Sequence, residues 1–152
     1  MQWVTRQDVK VGRMACSWLI RRFLDPEAII FYVPRDEVPR YVEAGATPFH
    51  VPGAELAHRG PETSFEAFLT KYDLRRDPAL ESMGRIINGA DTDNRRFQQP
   101  EGPGVRAVTD GIRFLEQDDE ERVRRASLIF DALYETCRHE VERHAGRSVA
   151  GA

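Results

Sequence analysis

The amino-acid sequence predicts an α+β domain that is mainly helical, with a small mixed sheet of short strands covered by about five or six helices. A length of 152 residues is that of one domain. Short apolar runs typical of strands lie in the first third of the chain, and apolar residues at helical spacing dominate the rest. Because no repeat or domain-sized linker interrupts this pattern, we expect one domain over residues 1–145 and a flexible tail over residues 146–152.

Three short segments have the character of strands. Residues 3–5 form an opening strand ahead of a polar turn. Residues 28–33 are a continuous apolar run that ends at Pro34, which favours a strand covered on both faces and predicts the centre of the sheet at this position. Residues 47–51 provide a further brief strand, so the sheet is expected to be small.

Helices are predicted where apolar residues recur at intervals of three and four between recognisable caps. Asp77-Pro78 is a favourable N-terminal pair, and Asn88-Gly89 is a natural C-terminal stop. Thr63 and Glu66 have the spacing of a capping box. The predicted helices are residues 13–24, a short helix within 34–45, a helix from 63 to about 73, residues 77–88, a helix carrying Val105 to Leu115, and a long helix that begins at Asp118-Asp119.

Composition excludes several classes of function. The net charge is -3 and the isoelectric point is about 5.8, so no overall basic field is available for nucleic acid or an anionic membrane. No stretch approaches the roughly 20 apolar residues needed to cross a bilayer, and the N-terminus lacks the features of a signal peptide. We therefore expect a soluble, cytoplasmic protein that binds neither nucleic acid nor membrane.

Sequence motifs exclude the simplest forms of several reactions. The two cysteines, Cys16 and Cys137, are too few for a disulfide framework and too far apart for a CxxC motif. The chain has no GxGxxG, P-loop, HExxH or GxSxG sequence. Dinucleotide binding, P-loop hydrolysis and the standard hydrolase mechanisms therefore have no support from motifs.

Arg13 and Cys16 are the candidate catalytic residues. Both lie in the first turns of the helix predicted over residues 13–24, where free backbone N–H groups and the helix dipole favour an anion and lower the pKa of a thiol. This position predicts a bound oxyanion at Arg13 or a reactive thiolate at Cys16. The alternative is that Cys16 is a small core residue and Arg13 a structural ion-pair partner.

Glu55, His58 and Asp91 are the candidate metal ligands. Glu55 and His58 lie three residues apart in a long loop over residues 53–63, and Asp91 lies in the turn expected after Gly89. Carboxylate and imidazole ligands of this kind suit iron, manganese or zinc with open coordination positions. The alternatives are a loop histidine bonded to backbone and an aspartate that caps a turn. His50 is expected to be a partly buried imidazole with satisfied hydrogen bonds.

The segment from Gly12 to Phe23 resembles the opening of the ChrB C-terminal-domain family of chromate-resistance proteins. The family pattern is an acidic residue, Arg, then Ala-Cys-Pro-Trp-Leu-Ile, and this chain has Gly12 in place of the acid and Ser17 in place of the proline. The resemblance continues in order over roughly residues 3–138. Its further motifs are Asp25-Pro26-Glu27-Ala28, Pro48-Phe49, Val51-Pro52-Gly53, Glu55-Leu56, His58, Ser64-Phe65-Glu66-Ala67-Phe68, Gly89-Ala90-Asp91-Thr92 and Tyr134.

The resemblance implies a function linked to chromate. Longer family members carry an additional N-terminal region and are regarded as chromate-responsive regulators, so this chain corresponds to their sensing or catalytic half. We therefore expect a bacterial metal-dependent small-molecule enzyme, or a metal- or oxyanion-responsive domain, that takes a small anionic ligand. The alternative is a non-catalytic chromate or oxyanion sensor, or an interaction domain. A homo-oligomer stays open, because amphipathic helices pack equally well within one chain or between two.

Overall fold

The structure, a computed structural model, describes residues 1–150 and confirms a mainly helical α+β domain. A π-helical turn, Ile20–Leu24, prolongs the first helix, and a 3-10 turn, Arg35–Glu37, precedes the second. The strands are β1 (Gln2–Arg6), β2 (Ile29–Val33) and β3 (Thr47–Pro48), and the helices are α1 (Val11–Leu19), α2 (Val38–Glu43), α3 (Ser64–Lys71), α4 (Pro78–Asp91), α5 (Glu101–Leu115) and α6 (Asp119–Ala150).

The three strands form one sheet in the order β2-β1-β3, and both pairs run parallel. The prediction of a mixed sheet is therefore wrong in this detail. A parallel connection needs a crossover, and α1 supplies one between β1 and β2 while α2 supplies the next. One face of β1 packs through Trp3 into the main core, and the other packs through Val4 against Val33 and Val38.

The central strand is β1, so the prediction that residues 28–33 form the centre of the sheet is also wrong. Trp3, Val4 and Thr5 are at most 1% exposed, whereas Ile29 in the edge strand β2 is 53% exposed. A continuous apolar run does not distinguish a strand buried on both faces from an edge strand beside a covering helix. The segment over residues 3–5 is shorter than that over residues 28–33, but it is the more buried because β1 pairs with a strand on each side.

Helix α4 is longer than predicted, because the expected stop at Asn88-Gly89 does not occur and the helix continues to Asp91. Gly89 instead provides close contact with α5. A Cβ atom added to Gly102 would lie 3.2 Å from the carbonyl carbon of Gly89, so the two backbones meet without side chains between them. The extra residues place Asp91 at the end of a rigid helix.

The long helix α6 covers the domain and continues to Ala150. The flexible tail predicted for residues 146–152 stays a prediction, and residues 151 and 152 lie outside the described residues. Among the helices of residues 1–150, none combines the length and the apolar character that crossing a bilayer requires.

We predict that Gly102→Ala lowers the free energy of unfolding by about 1–3 kcal/mol, because the new methyl group must push α5 away from the backbone of α4. Gly104→Ala is the matched control in the same helix. A Cβ atom there meets nothing within 4 Å, so its higher helix propensity should raise the free energy by about 0.5–1 kcal/mol. Urea unfolding measures both, and equal stabilities of the two variants would contradict the packing argument.

Candidate histidine and carboxylate site

Two histidines and one aspartate from distant parts of the chain meet at one place. One possible ligand atom from each of His50, His58 and Asp91 lies within 4.8 Å of the other two. The residues come from the segment after β3, from the long loop and from the end of α4. We call His50, His58 and Asp91 the site cluster.

His50 is held in place by its own backbone. Its N–H donates to the carbonyl of Leu56 over 2.7 Å, and its carbonyl accepts a hydrogen bond from Nη2 of Arg13 over 3.2 Å. Its φ angle is +53°, a left-handed conformation that is uncommon for residues other than glycine. Backbone strain of this kind persists only where surrounding contacts impose it, and it concentrates at functional sites.

His58 is fixed by the first turn of α3. The backbone N–H of Ser64 donates to Nδ1 of His58 over 2.9 Å, and the Ser64 hydroxyl oxygen lies at the same distance from that nitrogen. Because a backbone N–H can only donate, this bond makes Nδ1 an acceptor and places the ring proton of neutral His58 on Nε2. Nε2 lies 3.2 Å from Oδ2 of Asp91.

A buried polar network ties the loop that carries His58 to α3 and α4. The Thr63 hydroxyl accepts from the N–H of Glu66, and the Glu66 carboxylate accepts from the N–H of Thr63, which confirms the predicted capping box. Asn88 of α4 donates to the same carboxylate over 2.5 Å and to the carbonyl of Pro61 over 2.9 Å. The loop therefore has a defined path over the end of α4.

Two buried polar atoms in the site cluster have no hydrogen-bond partner among the described residues: Nδ1 of His50 and Oδ2 of Asp91. The 3.2 Å separation from His58 brings Asp91 within ion-pair distance, but the two groups are not aligned for a hydrogen bond. Burial, with smaller effects of Arg13 and His58, lowers the pKa of His50 to about 2. The His50 ring is therefore neutral at physiological pH and keeps a lone pair for a ligand.

Arg13 borders the site cluster and is only 8% exposed. Its Nε atom is buried without a partner in the described part of the chain, although Nη2 bonds to the carbonyl of His50. Burial and the charge of Arg6 lower the pKa of Arg13, and the carboxylate of Asp91 opposes this effect. A cavity of about 360 Å³, which we call the inner cavity, is lined by Arg6, Arg13, His50, Val51, Pro52, Ala57 and His58.

Comparison with known proteins identifies the family. The profile of the family described as "ChrB, C-terminal domain" matches residues 3–137. The chain belongs to the ChrB C-terminal-domain family. It is 35% identical over 133 residues to the protein named "Protein ChrB" of Cupriavidus metallidurans, a match that covers 88% of this chain and 40% of that protein. The chain thus spans about two fifths of the length of this relative, and no solved structure matches it significantly.

The departures of this chain from the ChrB pattern can now be placed in the fold. A Cβ atom added to Gly12 would lie 2.3 Å from Oδ2 of Asp91 and 2.4 Å from Cε1 of His50. Gly12 is the position at which the resemblance led us to expect an acidic residue, and it lies at the site cluster itself. The second departure, Ser17, is fully buried and accepts a hydrogen bond from the hydroxyl of Tyr32 over 2.9 Å.

Glu55 lies outside the cluster that the ChrB domain forms around His58. Its side chain is 65% exposed and pairs with Lys71 over 2.8 Å. Leu56, the next residue, is buried in the core and bridges to Phe49, so Glu55 is turned towards α3. The structure therefore groups His58 and Asp91 with His50, which sequence reasoning passed over because its positive φ angle and its closeness to α4 leave no local pattern.

Cys16 lies inside the core of the ChrB domain and is fully buried. Burial, with a smaller effect of Asp91, raises the pKa of its thiol well above the usual value. This is opposite to the lowered pKa that its place in the first turns of α1 predicts. The surroundings of Cys16 are those of a small core residue, which is the alternative interpretation from the sequence.

Asp91, His58 and Ser64 lie next to one another in the order of a hydrolase triad, but the serine cannot serve as a nucleophile in this arrangement. Ser64 is fully buried, and its own backbone N–H occupies the histidine nitrogen that would have to accept the hydroxyl proton. The site cluster is instead suited to holding a ligand through its nitrogen and oxygen atoms.

We predict that both cysteines of the native protein react slowly with Ellman's reagent at pH 8. Cys16 and Cys137 are at most 3% exposed, and burial raises the pKa of each thiol. Reaction should be at least about 100-fold slower than in denaturant, because only an accessible thiolate attacks the reagent. A fast native reaction that persists in Cys137→Ala would show that Cys16 is reactive and contradict the prediction.

Proposed function

We propose that this ChrB domain is metal-dependent, and that His50, His58 and Asp91 hold a divalent transition metal beside a cavity for a small oxyanion. The observation that carries the proposal is the site cluster, in which three ligand atoms lie within 4.8 Å of one another and two buried polar atoms have no partner. Buried polar groups in proteins are normally satisfied, so such atoms at one place favour a ligand that completes them.

The donor set agrees with the metals expected from the sequence. Two imidazoles and one carboxylate suit zinc, iron(II) or manganese, and they leave coordination positions for a substrate or water. A metal bound there would supply a Lewis acid or lower the pKa of a bound water. The sequence predicted Glu55, His58 and Asp91 as ligands. The proposed set has His50 instead of Glu55, so it has two nitrogen donors and one carboxylate.

Ser64 acts as a positioning residue in this proposal. For Nε2 of His58 to bind a metal, the ring proton must lie on Nδ1 instead. Metal binding would therefore break the bond from the Ser64 backbone N–H to Nδ1, and the Ser64 hydroxyl oxygen, 2.9 Å from Nδ1, is the acceptor available to the transferred proton. Hydrogen bonds of this kind from the second ring nitrogen usually orient metal-binding histidines.

Arg13 provides the charge that an oxyanion requires. Its buried guanidinium lines the inner cavity together with Arg6, and its Nε atom has a free donor. Planar guanidinium groups recognise tetrahedral and planar oxyanions through paired hydrogen bonds. Chromate is such an anion, so this arrangement supports a role of the domain in the chromate response of its family.

The proposal predicts near-stoichiometric zinc, iron or manganese in protein purified without chelator or affinity tag. His50→Ala and Asp91→Asn should lose the metal because each removes a ligand, whereas Glu55→Gln should retain it as the matched control. Metal content is measured by elemental analysis, with circular dichroism to confirm the fold of each variant.

Gly12→Ala is a further variant for the same measurement. Its methyl group would enter the space of Asp91 and His50, so metal affinity should fall at least about tenfold in a folded protein. A parent protein that carries no metal and takes up none of the three ions would overturn the proposal. Equal metal loss in Glu55→Gln would also contradict the assignment of the ligands.

The rival function is metal-free recognition of chromate by arginine, which the partnerless Nε of Arg13 favours. If the metal is required, chromate binding measured by calorimetry should disappear with chelator and in Asp91→Asn. Arg13→Lys should weaken binding at least about tenfold in either case, because lysine lacks the planar fork. Binding that survives chelator and Asp91→Asn would establish the non-catalytic sensor in place of the metal-dependent domain.

A further inference from the structure

We infer a second ligand site in a cavity that shares Arg6 and Arg13 with the inner cavity: its volume is about 450 Å³, and it binds a small polyanion bearing phosphate groups. It lies beside the loop between β1 and α1, and its lining contains no residue of the site cluster. We call it the basic cavity, and its lining consists of Arg6, Gln7, Asp8, Lys10, Arg13, Pro34, Arg35 and Arg113.

Positive charge in the basic cavity is not balanced by the protein. Among the described residues, Arg6, Lys10 and Arg35 form no ion pair, and the same holds for Arg13. The carboxylate that lines the cavity, Asp8, is already shared by Arg122 over 2.8 Å and Arg113 over 3.6 Å. A chain with a net charge of -3 therefore gathers at least four unpaired cations in one place. An anion that enters the cavity would balance them.

Buried donors line the basic cavity as well as exposed ones. Arg13, which is 8% exposed, lines this cavity as well as the inner cavity, and its Nε is the donor already assigned to the oxyanion of the inner cavity. Among the described residues, Nε of Arg113 is buried without a hydrogen bond, since its separation from Asp8 exceeds hydrogen-bond distance. A buried donor without a partner costs free energy. An anionic oxygen in the basic cavity would satisfy the donor of Arg113.

The start of α1 adds to this donor set. Lys10 is its N-cap, no side chain caps the helix, and its first turn contains no acidic residue. The first backbone N–H groups of a helix have no partner within the helix, and they favour phosphate groups. The carboxylate of Asp91 lies against Gly12 on the side of the site cluster, whereas Lys10 and Arg13 line the basic cavity.

The basic cavity is preorganised by the start of α6. Asp119 accepts hydrogen bonds from the N–H groups of Asp8 and Val9 over 2.8 and 2.9 Å. Arg122, only 4% exposed, bonds to the carboxylate of Asp8 and to the carbonyls of Arg113 and Glu116. These contacts fix the loop and the end of α5 around the cavity, so little backbone conformational entropy is lost when a ligand binds.

The number of cations and the volume indicate the class of ligand. Five basic side chains exceed what one tetrahedral dianion needs, and the volume lies within the roughly 300–1,000 Å³ of small-molecule sites. Arginine forks and a helix start both suit phosphate. Inorganic polyphosphate and phosphorylated organic molecules share this chemistry. The site does not depend on the proposed metal function, because Lys10, Arg35 and Arg113 lie outside the site cluster.

Calorimetry with inorganic pyrophosphate, adenosine diphosphate, orthophosphate and sulfate tests the inference, with chelator present and ionic strength held constant. We expect pyrophosphate to bind with a dissociation constant below about 1 mM and more tightly than sulfate. The double variant Lys10→Ala/Arg35→Ala should weaken binding at least about tenfold. Arg85→Ala/Arg147→Ala removes the same charge from exposed helical positions that form no ion pair with the described residues, and this variant should bind like the parent.

Asp91→Asn should also bind pyrophosphate like the parent, so a failed metal site and a failed basic cavity give different results. Binding of adenosine diphosphate at least as tight as that of pyrophosphate would identify an organic phosphate as the ligand, and pyrophosphate alone an inorganic one. The inference is overturned if the parent binds none of the anions, if sulfate binds equally well, or if both double variants lose the same affinity.

Discussion

The start of α1 lies directly against the side chains of His50 and Asp91, and the absence of a side chain at Gly12 makes this contact possible. Any Cβ atom there would overlap a carboxylate oxygen and an imidazole carbon. The contact brings together the end of β3, the end of α4 and the guanidinium of Arg13 one residue further on. The site cluster depends on this approach of backbone to side chains, and His50 also lines the inner cavity.

Apolar packing of α1 and a buried polar network in the adjoining loop both support this contact. Apolar packing of α1 against the sheet and the other helices buries Cys16 and Trp18 and fixes the direction of the helix. A polar network centred on Glu66 and Asn88 then fixes the loop that carries His58. Because the network is buried and its bonds share one carboxylate, loss of one member would leave others unsatisfied.

Arg13 links the two candidate sites. Its Nη2 atom is used by the carbonyl of His50, which lies in a left-handed conformation, while Nε has no partner. A buried guanidinium and a left-handed backbone are each unfavourable alone. The hydrogen bond between Arg13 and the carbonyl of His50 stabilises both. This explains why neither feature could be recognised from residue types, although Arg13 itself was identified from its place at a helix start.

The sequence by itself determined the features that depend on near neighbours. The α+β class, most of the helices and the capping box of Thr63 and Glu66 follow from apolar spacing and from bonds three residues apart, and motifs in order indicated the ChrB family. Tertiary structure alone decided that β1 is central, that Gly89 lies within α4 and packs against α5, and that His50 joins His58 while Glu55 pairs with Lys71. These outcomes depend on contacts between residues far apart in the chain, and local spacing in the sequence does not indicate which distant segments pack together.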